Sequence, residues 1–158
     1  MNAGAYGGEM KHVLREVTVL TKEGEVLAIP AKALELGYRT SVIPKNGWIV
    51  LGAVLQLKKG DPEQILARME ELKEQRITKQ PLDLPSAGST FKRPEGYFAG
   101  KLIMDAGLRG FTVGGAQVSE KHCGFVVNRG DATAADVWEL ICEVKRRVKE
   151  RTGVELEP

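Results

Sequence analysis

The sequence predicts an α+β protein with short strands in its first third and helices mixed with strands after it. Three observations support this fold class. Short apolar runs separated by polar turns lie between residues 16 and 57, a pattern typical of strands. Two later segments repeat apolar residues at helical spacing. The length of 158 residues, 42% of them apolar, is enough for one domain, or one and a fraction, with a buried core.

The first predicted strands form a hairpin. Glu16–Leu20 and Val26–Ile29 are apolar runs separated by the polar turn Lys22–Glu25, as in an antiparallel pair. A third run, Ile49–Leu57, is apolar enough to predict a buried or half-buried strand. The Gly-rich start, Gly4–Gly8, is unusual for a domain, and we expect it to wrap around another part of the protein.

The second part of the chain opens with a predicted helix. Asp61 is a suitable N-cap and Pro62 a suitable first helical residue. Apolar residues then recur on one face of a helix that is expected to end near Arg76: Ile65, Met69 and Leu72. From residue 78 to residue 96 there are three prolines and no periodicity. A loop of this length is more often functional or disordered than a simple connection.

The remaining elements alternate between helix and strand. We predict a helix over Tyr97–Ala106, strands over Phe111–Ser119 and Gly124–Asn128, and a long helix over Thr133–Thr152. Val154–Leu156 looks like the start of one more strand. Because the sequence stops there and begins with a Gly-rich turn, both ends are expected to be interior positions of a longer protein.

Composition argues against several functional classes. Lys and Arg total 23 against 21 Asp and Glu, a formal net charge of +2, which does not favour nucleic-acid binding or an acidic tail. Two cysteines and two histidines supply neither a disulfide framework nor a four-ligand zinc site, so no metal site is expected. No apolar run approaches the roughly 18 residues of a membrane span, and the start lacks a signal-peptide pattern. We therefore expect a cytoplasmic protein with no membrane partner.

A few residues could carry chemistry, and each also has a plain structural interpretation. Arg39, beside Tyr38 in a polar turn, offers a guanidinium that could bind carboxylate or phosphate, although a surface arginine is favoured. Ser89 lies among small residues, which suggests a backbone that approaches a ligand, but a buried turn serine is the simpler interpretation. His122, beside Cys123, is more simply a loop histidine than a metal ligand.

Two other motifs have structural explanations. Gly110–Ala116 is Gly-rich but lacks the GxGxxG spacing and the following helix of a dinucleotide site, so a tight turn or close strand packing is favoured. The basic run Lys145–Arg147 is interleaved with acidic residues, as on a solvated helix face. Pattern alone thus predicts an α+β protein with a ligand-sized loop and leaves its chemistry open.

Five motifs, taken in order, resemble those of one protein family: residues 2–7 (NAGAYG), 36–41 (LGYRTS), 87–94 (AGSTFKRP), 107–116 (GLRGFTVGGA) and 153–158 (GVELEP). Their order and spacing resemble UDP-N-acetylenolpyruvoylglucosamine reductase, also called UDP-N-acetylmuramate dehydrogenase, in its shorter family type. The resemblance covers essentially the whole chain. It implies the end of a flavin-binding domain over residues 1–57 and a small α+β substrate-binding domain over residues 58–158, cut before its last strand.

The resemblance also implies a reaction. With NADPH as reductant, FAD supplies a hydride to the enolpyruvyl double bond of UDP-N-acetylglucosamine enolpyruvate, which gives UDP-N-acetylmuramate for peptidoglycan synthesis. Ser89 matches the serine that protonates the enolate-like intermediate, and Arg39 matches the arginine that stabilises its charge. Tyr38, Lys79 and Arg93 are further candidates for holding the substrate.

The same resemblance predicts an incomplete enzyme. Contacts to FAD are implied for four residues near the start: Asn2, Gly4, Ala5 and Tyr6. The family's pyrophosphate loop has no match, and its catalytic glutamate would follow Pro158. We therefore expect the isolated chain to be inactive and to self-associate through exposed strands. The alternative is a non-catalytic nucleotide-sugar-binding or interaction module derived from the enzyme. His122 stands where some members of the family have a polar amide.

Overall fold

The computed structural model describes all 158 residues and divides them into two compact units, Met1–Asp61 and Pro62–Pro158. Both units contain helices and strands, which confirms the predicted mixture of α and β structure. No helix is at once long enough and apolar enough to cross a membrane. The assignment of the units to flavin and substrate binding stays a prediction.

The first unit is built on a three-stranded antiparallel sheet. β3 (Leu14–Leu20) lies at the centre, between β4 (Val26–Pro30) and β5 (Ile49–Leu55). The predicted hairpin of β3 and β4 is confirmed. Its turn is closed by the amide of Thr21, which donates to the carbonyl of Glu25 at 2.9 Å.

The core of this unit is small. Val17 and Val19 on β3 are buried together with Leu34, which follows a short 3₁₀ turn. The expectation of a buried or half-buried β5 is wrong, because Ile49 is 61% exposed and Leu51 55%. The reason is packing: pairing with β3 covers neither face of β5, and no residue of β5 belongs to the core of this unit, so an apolar run does not by itself ensure burial.

A short helix follows the turn predicted over residues 36–41. α1 (Val42–Asn46) begins after Ser41, whose buried hydroxyl accepts a hydrogen bond from the Ile43 amide at 3.3 Å. It ends at Gly47, which has a φ of 66°. Five residues are too few for the periodicity that predicts longer helices, so the sequence did not reveal α1.

The second unit begins with α2 (Pro62–Lys79), which extends past the expected end at Arg76. No residue of α2 is buried. The apolar stripe predicted from the sequence is largely exposed, with Ile65 at 48% and Met69 at 61%. Helical periodicity therefore located this helix without indicating a packing partner.

The rest of the second unit consists of two helices packed with a small antiparallel sheet. α3 (Ala99–Asp105) and α4 (Ala134–Thr152) confirm the two predicted helices. They pack with an antiparallel sheet in the order β6 (Thr112–Val113), β7 (Ala116–Val118) and β8 (Val126–Asn128). Side chains from α3, α4 and the sheet form the larger of the two cores.

The predicted strand over Phe111–Ser119 is wrong in one respect, because Gly114 and Gly115 break it into the β6–β7 hairpin. Gly114 has a φ of 52°, which a side chain rarely adopts. A Cβ on Gly115 would lie 2.4 Å from the backbone nitrogen of Ala132. The interpretation of this Gly-rich motif as a turn with close packing is confirmed.

The predicted strand at Val154–Leu156 is also wrong, since this segment has no regular structure. The apolar side chain behind the prediction is nevertheless completely buried: Leu156 is 0% exposed within the larger core. The neighbouring Glu157 carbonyl accepts a hydrogen bond from the Lys92 amide at 2.7 Å. These last residues thus cover the core and hold part of the long loop.

Candidate functional site

The Gly-rich start of the chain forms a small hairpin. β1 (Gly4–Ala5) pairs antiparallel with β2 (Gly8–Glu9). The two residues between them, Tyr6 and Gly7, have φ values of 50° and 80°, which suit a tight two-residue hairpin turn. The hairpin thereby holds the Tyr6 side chain at its tip, where it is 40% exposed.

Asn2 ties this hairpin to the turn at Gly37. Its side-chain amide donates to the Glu9 carboxylate at 2.6 Å and to the Gly37 carbonyl at 3.1 Å, and its Oδ1 accepts from the Lys11 amide at 3.0 Å. A hydrogen bond from Lys11, and a weaker effect of the hydrogen bond from Asn2, hold the pKa of the Glu9 carboxyl below its ordinary value. Asn2, only 1% exposed, is therefore a clamp that brings two distant motifs together.

Arg39 lies in the same cluster. One of its terminal nitrogens, Nη2, donates to the Gly4 carbonyl at 3.1 Å, and its guanidinium lies 5.3 Å from the centre of the Tyr38 ring. Arg39 is half-buried and its φ is 54°, a strained value for a residue with a side chain. It is thus not the ordinary surface arginine favoured by pattern alone. A guanidinium carries five N–H groups, so others remain to donate to an anion.

Ser89 lies on the long loop of the second unit. The loop runs beside the segment that leads into β8: Ser89 pairs antiparallel with Phe125, and the Thr90 amide donates to the Gly124 carbonyl at 2.9 Å. Val126 returns a bond from its amide to the Thr90 hydroxyl at 3.2 Å. The loop therefore has a fixed backbone without being a strand.

The Ser89 side chain is exposed, so the interpretation of Ser89 as a buried turn serine is wrong. The preceding Gly88 has a φ of 97°, and no atom lies within 4 Å of where its Cβ would be. A ligand can therefore approach the backbone beside Ser89 closely. Ser86, three residues earlier, serves the loop instead: its hydroxyl donates to the Val126 carbonyl at 2.8 Å and accepts from the Gly88 amide at 3.2 Å.

The two other predicted residues of this unit lie at either side of that loop. Arg93 stacks on Phe98, with its guanidinium carbon 4.0 Å from the ring centre, and its Nε donates to the Tyr97 carbonyl at 3.2 Å. Lys79 is the last residue of α2 and is exposed, and no hydrogen bond joins it to Ser89.

The predicted residues thus form two groups in two units. Asn2, Gly4 and Arg39 meet in the first, while Ser89 and Arg93 share a loop in the second. Sequence reasoning missed Gly124 and Phe125, which hold the Ser89 loop through backbone atoms and so leave no signal in side-chain type. No group of three or more His, Cys, Asp or Glu side chains is placed to hold a metal ion.

Comparison with known proteins agrees with this architecture. The family profile described as "UDP-N-acetylenolpyruvoylglucosamine reductase, C-terminal domain" matches residues 80–158. A crystal structure of UDP-N-acetylenolpyruvylglucosamine reductase from Thermus caldophilus matches with a TM-score of 0.84 and 42% identity, over 99% of this chain and 56% of that one. Both matches indicate a class of reductases.

Curated relatives agree in name. UDP-N-acetylenolpyruvoylglucosamine reductase from Lachnoclostridium phytofermentans is 64% identical over 100% of this chain and 51% of its own length. The protein of the same name from Agathobacter rectalis is 60% identical over 100% of this chain and 50% of its own. The chain belongs to the UDP-N-acetylenolpyruvoylglucosamine reductase family. It spans about half the length of the curated relatives it matches.

Proposed function

We propose that the chain supplies the proton donor and an anion-stabilising arginine of a flavin-dependent oxidoreductase. The reaction is the reduction of UDP-N-acetylglucosamine enolpyruvate to UDP-N-acetylmuramate, in cytoplasmic synthesis of peptidoglycan precursors for the cell wall. The observation that carries the proposal is the exposed Ser89 hydroxyl on a loop whose backbone is bonded at the next residue to Gly124.

Ser89 would act as the general acid. Addition of a hydride to the enolpyruvyl double bond leaves negative charge on the carbon next to the carboxylate, and that carbon must gain a proton. A hydroxyl delivers a proton only from within hydrogen-bond reach. The backbone hydrogen bond at Thr90 and the open approach at Gly88 support this role for Ser89.

Arg39 would stabilise the charge that develops on the substrate. A pre-placed guanidinium is effective because it needs no rearrangement as the charge forms. Its bond to the Gly4 carbonyl and the strained φ of 54° support a side chain that is positioned in advance by the fold. Tyr38 beside it, and Lys79 and Arg93 in the second unit, are proposed to bind the nucleotide sugar.

The β1–β2 hairpin is proposed to form part of a flavin site. A Cβ on Gly4 would lie 3.0 Å from the Glu9 side chain and 3.1 Å from the Gly8 carbonyl, so the β1–β2 backbone is compact. It presents Ala5 and the exposed ring of Tyr6 at its surface. Asn2, Gly4, Ala5 and Tyr6 would hold the edge of FAD, with Asn2 acting through the hairpin that it clamps. When bound, FAD reduced by NADPH supplies the hydride.

The isolated chain is proposed to lack reductase activity, because it spans only about half of its relatives. The second candidate is a nucleotide-sugar-binding module without catalysis. The absorbance spectrum of the purified chain distinguishes the two candidates. Yellow flavin absorbance supports a cofactor site, and a colourless protein supports the binding module. Flavin-dependent NADPH oxidation by the chain alone, stimulated by the enolpyruvyl sugar, would contradict the proposed inactivity.

The proton donor is tested in a complete enzyme, made by joining the chain to the remaining part of the Lachnoclostridium phytofermentans relative. Ser89→Ala should leave flavin reduction by NADPH unchanged and slow flavin reoxidation by the enolpyruvyl sugar. General acids are worth about 10²–10⁴-fold, and a sole donor lies at the upper end. Ser89→Cys should recover part of the rate, because a thiol also carries a proton.

Ser86→Ala is the matched control, since Ser86 supports the same loop through hydrogen bonds. It should affect reoxidation far less than Ser89→Ala. Stopped-flow absorbance follows the two half-reactions separately. If Ser89→Ala reoxidises at the wild-type rate, or if both half-reactions fall together, Ser89 is not the acid.

A further inference from the structure

The turn between β7 and β8 carries His122, which the proposed reaction does not use. Two amides of this turn, those of Lys121 and His122, donate to the buried Ser119 hydroxyl at 3.2 Å each. The His122 ring then reaches forward, and its Nδ1 accepts a hydrogen bond from the Gly124 amide at 3.1 Å. The Phe125 amide donates to the His122 carbonyl at 2.9 Å. His122 thus bonds Gly124 through its ring and Phe125 through its backbone carbonyl.

The ring sits in a niche that leaves it little room to move. A Cβ on Gly124 would lie 3.0 Å from Cε1 of His122, and a Cβ on Gly100 of α3 would lie 3.4 Å from the same atom. On another side the Phe125 ring meets the imidazole edge to face, with 4.9 Å between ring centres. The absence of side chains at these two glycines gives the ring its place, and the hydrogen bond from the Gly124 amide is the contact that involves Nδ1.

The residues that His122 holds are those that pair with the Ser89 loop. The amide of Gly124 binds Nδ1 while its carbonyl accepts the Thr90 amide at 2.9 Å, and Phe125 pairs with Ser89. The peptide groups on the two sides of Gly124 thus connect the imidazole to the loop. Loss of the Nδ1 contact would leave the Gly124 amide without this acceptor, next to the carbonyl that holds Thr90.

We propose that His122 is a positioning residue for the Ser89 loop: its neutral imidazole, with the proton on Nε2, accepts the Gly124 amide at Nδ1 and so fixes the backbone that pairs with Ser89 and Thr90. An amide donor requires Nδ1 to be the ring nitrogen without a proton. A role of His122 in catalysis rests on the function proposed above. The tautomer of His122 and its coupling to the Ser89 loop do not depend on that function.

The wild-type chain tests the tautomer directly. Nitrogen-15 NMR of the histidine rings, recorded at alkaline pH, distinguishes a ring nitrogen that carries hydrogen from one that does not. His122 should show hydrogen on Nε2 and none on Nδ1. Hydrogen on Nδ1 would overturn the proposal, without any variant being made.

Three substitutions test the coupling through amide hydrogen exchange. His122→Asn places an acceptor oxygen where Nδ1 lies, His122→Gln places it one bond further out, and His122→Ala removes it. The Thr90 amide should exchange about tenfold faster in His122→Ala, the factor expected for one lost hydrogen bond. His122→Asn should restore protection, and His122→Gln should not.

The amides of α4 identify global effects. They should exchange at wild-type rates in His122→Asn and His122→Ala, because the loss is local. An equal rise in α4 and at Thr90 would indicate general destabilisation and overturn the proposal, as would an unchanged Thr90 amide in His122→Ala or equal protection in the Asn and Gln variants. These measurements need no activity, so they can fail while Ser89 remains the acid, and the reverse also holds.

Discussion

Leu156 provides the sharpest test of the idea that the last residues of the chain are part of the core. Its side chain is 0% exposed, although the segment around it has no regular structure. Replacing a buried leucine by alanine removes apolar contact and leaves a cavity, which together destabilise proteins by about 2–5 kcal/mol. We therefore expect Leu156→Ala to cost the second unit about 3 kcal/mol, a large share of the 5–15 kcal/mol typical of a whole domain.

This loss of unfolding free energy corresponds to a lower melting temperature. For a unit of roughly 100 residues, 1 kcal/mol shifts the melting temperature by about 4–8 °C, so Leu156→Ala should melt about 12–24 °C lower. Circular dichroism at 222 nm follows α2, α3 and α4, which all lie in this unit, and urea titration gives the free energy of unfolding.

Glu155→Ala, at the preceding position, is the matched control. Glu155 is exposed and its carboxylate pairs with Lys149 at 2.9 Å, an exposed contact of a kind that contributes little. Equal melting temperatures for Leu156→Ala and Glu155→Ala would refute the reasoning, because the segment would then lie on the surface and not in the core.

Three further predictions follow from other parts of the structure. Gly115→Ala should destabilise the second unit by about 1–3 kcal/mol in urea, because its Cβ would lie 2.4 Å from Ala132, whereas Gly52→Ala meets nothing within 4 Å and should change little. Hydrogen bonds, mainly from Arg146 and then from Arg147, lower the pKa of Glu143 from 4.5 to about 2. The contribution of this carboxylate to stability is therefore complete above pH 4.5 and is lost as the pH falls towards 2. The difference in melting temperature between wild type and Glu143→Gln should disappear over that interval. The expected self-association through exposed strands is tested on β5: Leu51→Lys should reduce it in sedimentation, while Leu66→Lys on α2, with a similarly exposed leucine, should not, and equal effects would contradict a contact through β5.

Elements with a long or repeated pattern could be predicted from the sequence. α4 has a Thr133 cap, an apolar stripe and a terminal glycine, and the structure shows the capping box between Thr133 and Asp136 with Gly153 at the end. The β3–β4 hairpin is also in its predicted place. What the sequence could not show is which faces are covered. β5 and the apolar stripe of α2 are exposed. Periodicity shows which side chains a segment could bury, but it does not show whether another element packs against them.

The sequence predicted only part of the candidate site, for a different physical reason. Arg39 and Ser89 were found through family resemblance, because isolated residues in turns have no periodicity. The contacts that place them are made to backbone carbonyls: Arg39 to Gly4, and Thr90 to Gly124. Almost any residue can supply a carbonyl, so no sequence pattern marks these partners. Asn2 is the exception, since its side chain makes the contacts itself.

The Ser89 loop shows how a segment without regular structure can hold a side chain that is proposed to donate a proton. Three successive residues after Ser89 are fixed by three different parts of the unit: Thr90 by the Gly124 carbonyl, the buried Phe91 ring by the core, and Lys92 by the Glu157 carbonyl. Lys92 also pairs with the Glu157 carboxylate. Functional groups must be held within about 0.5 Å of their working geometry, and anchors with separate origins restrain the loop in several directions at once. The exposed hydroxyl of Ser89 is thereby left accessible while its backbone is not free to move.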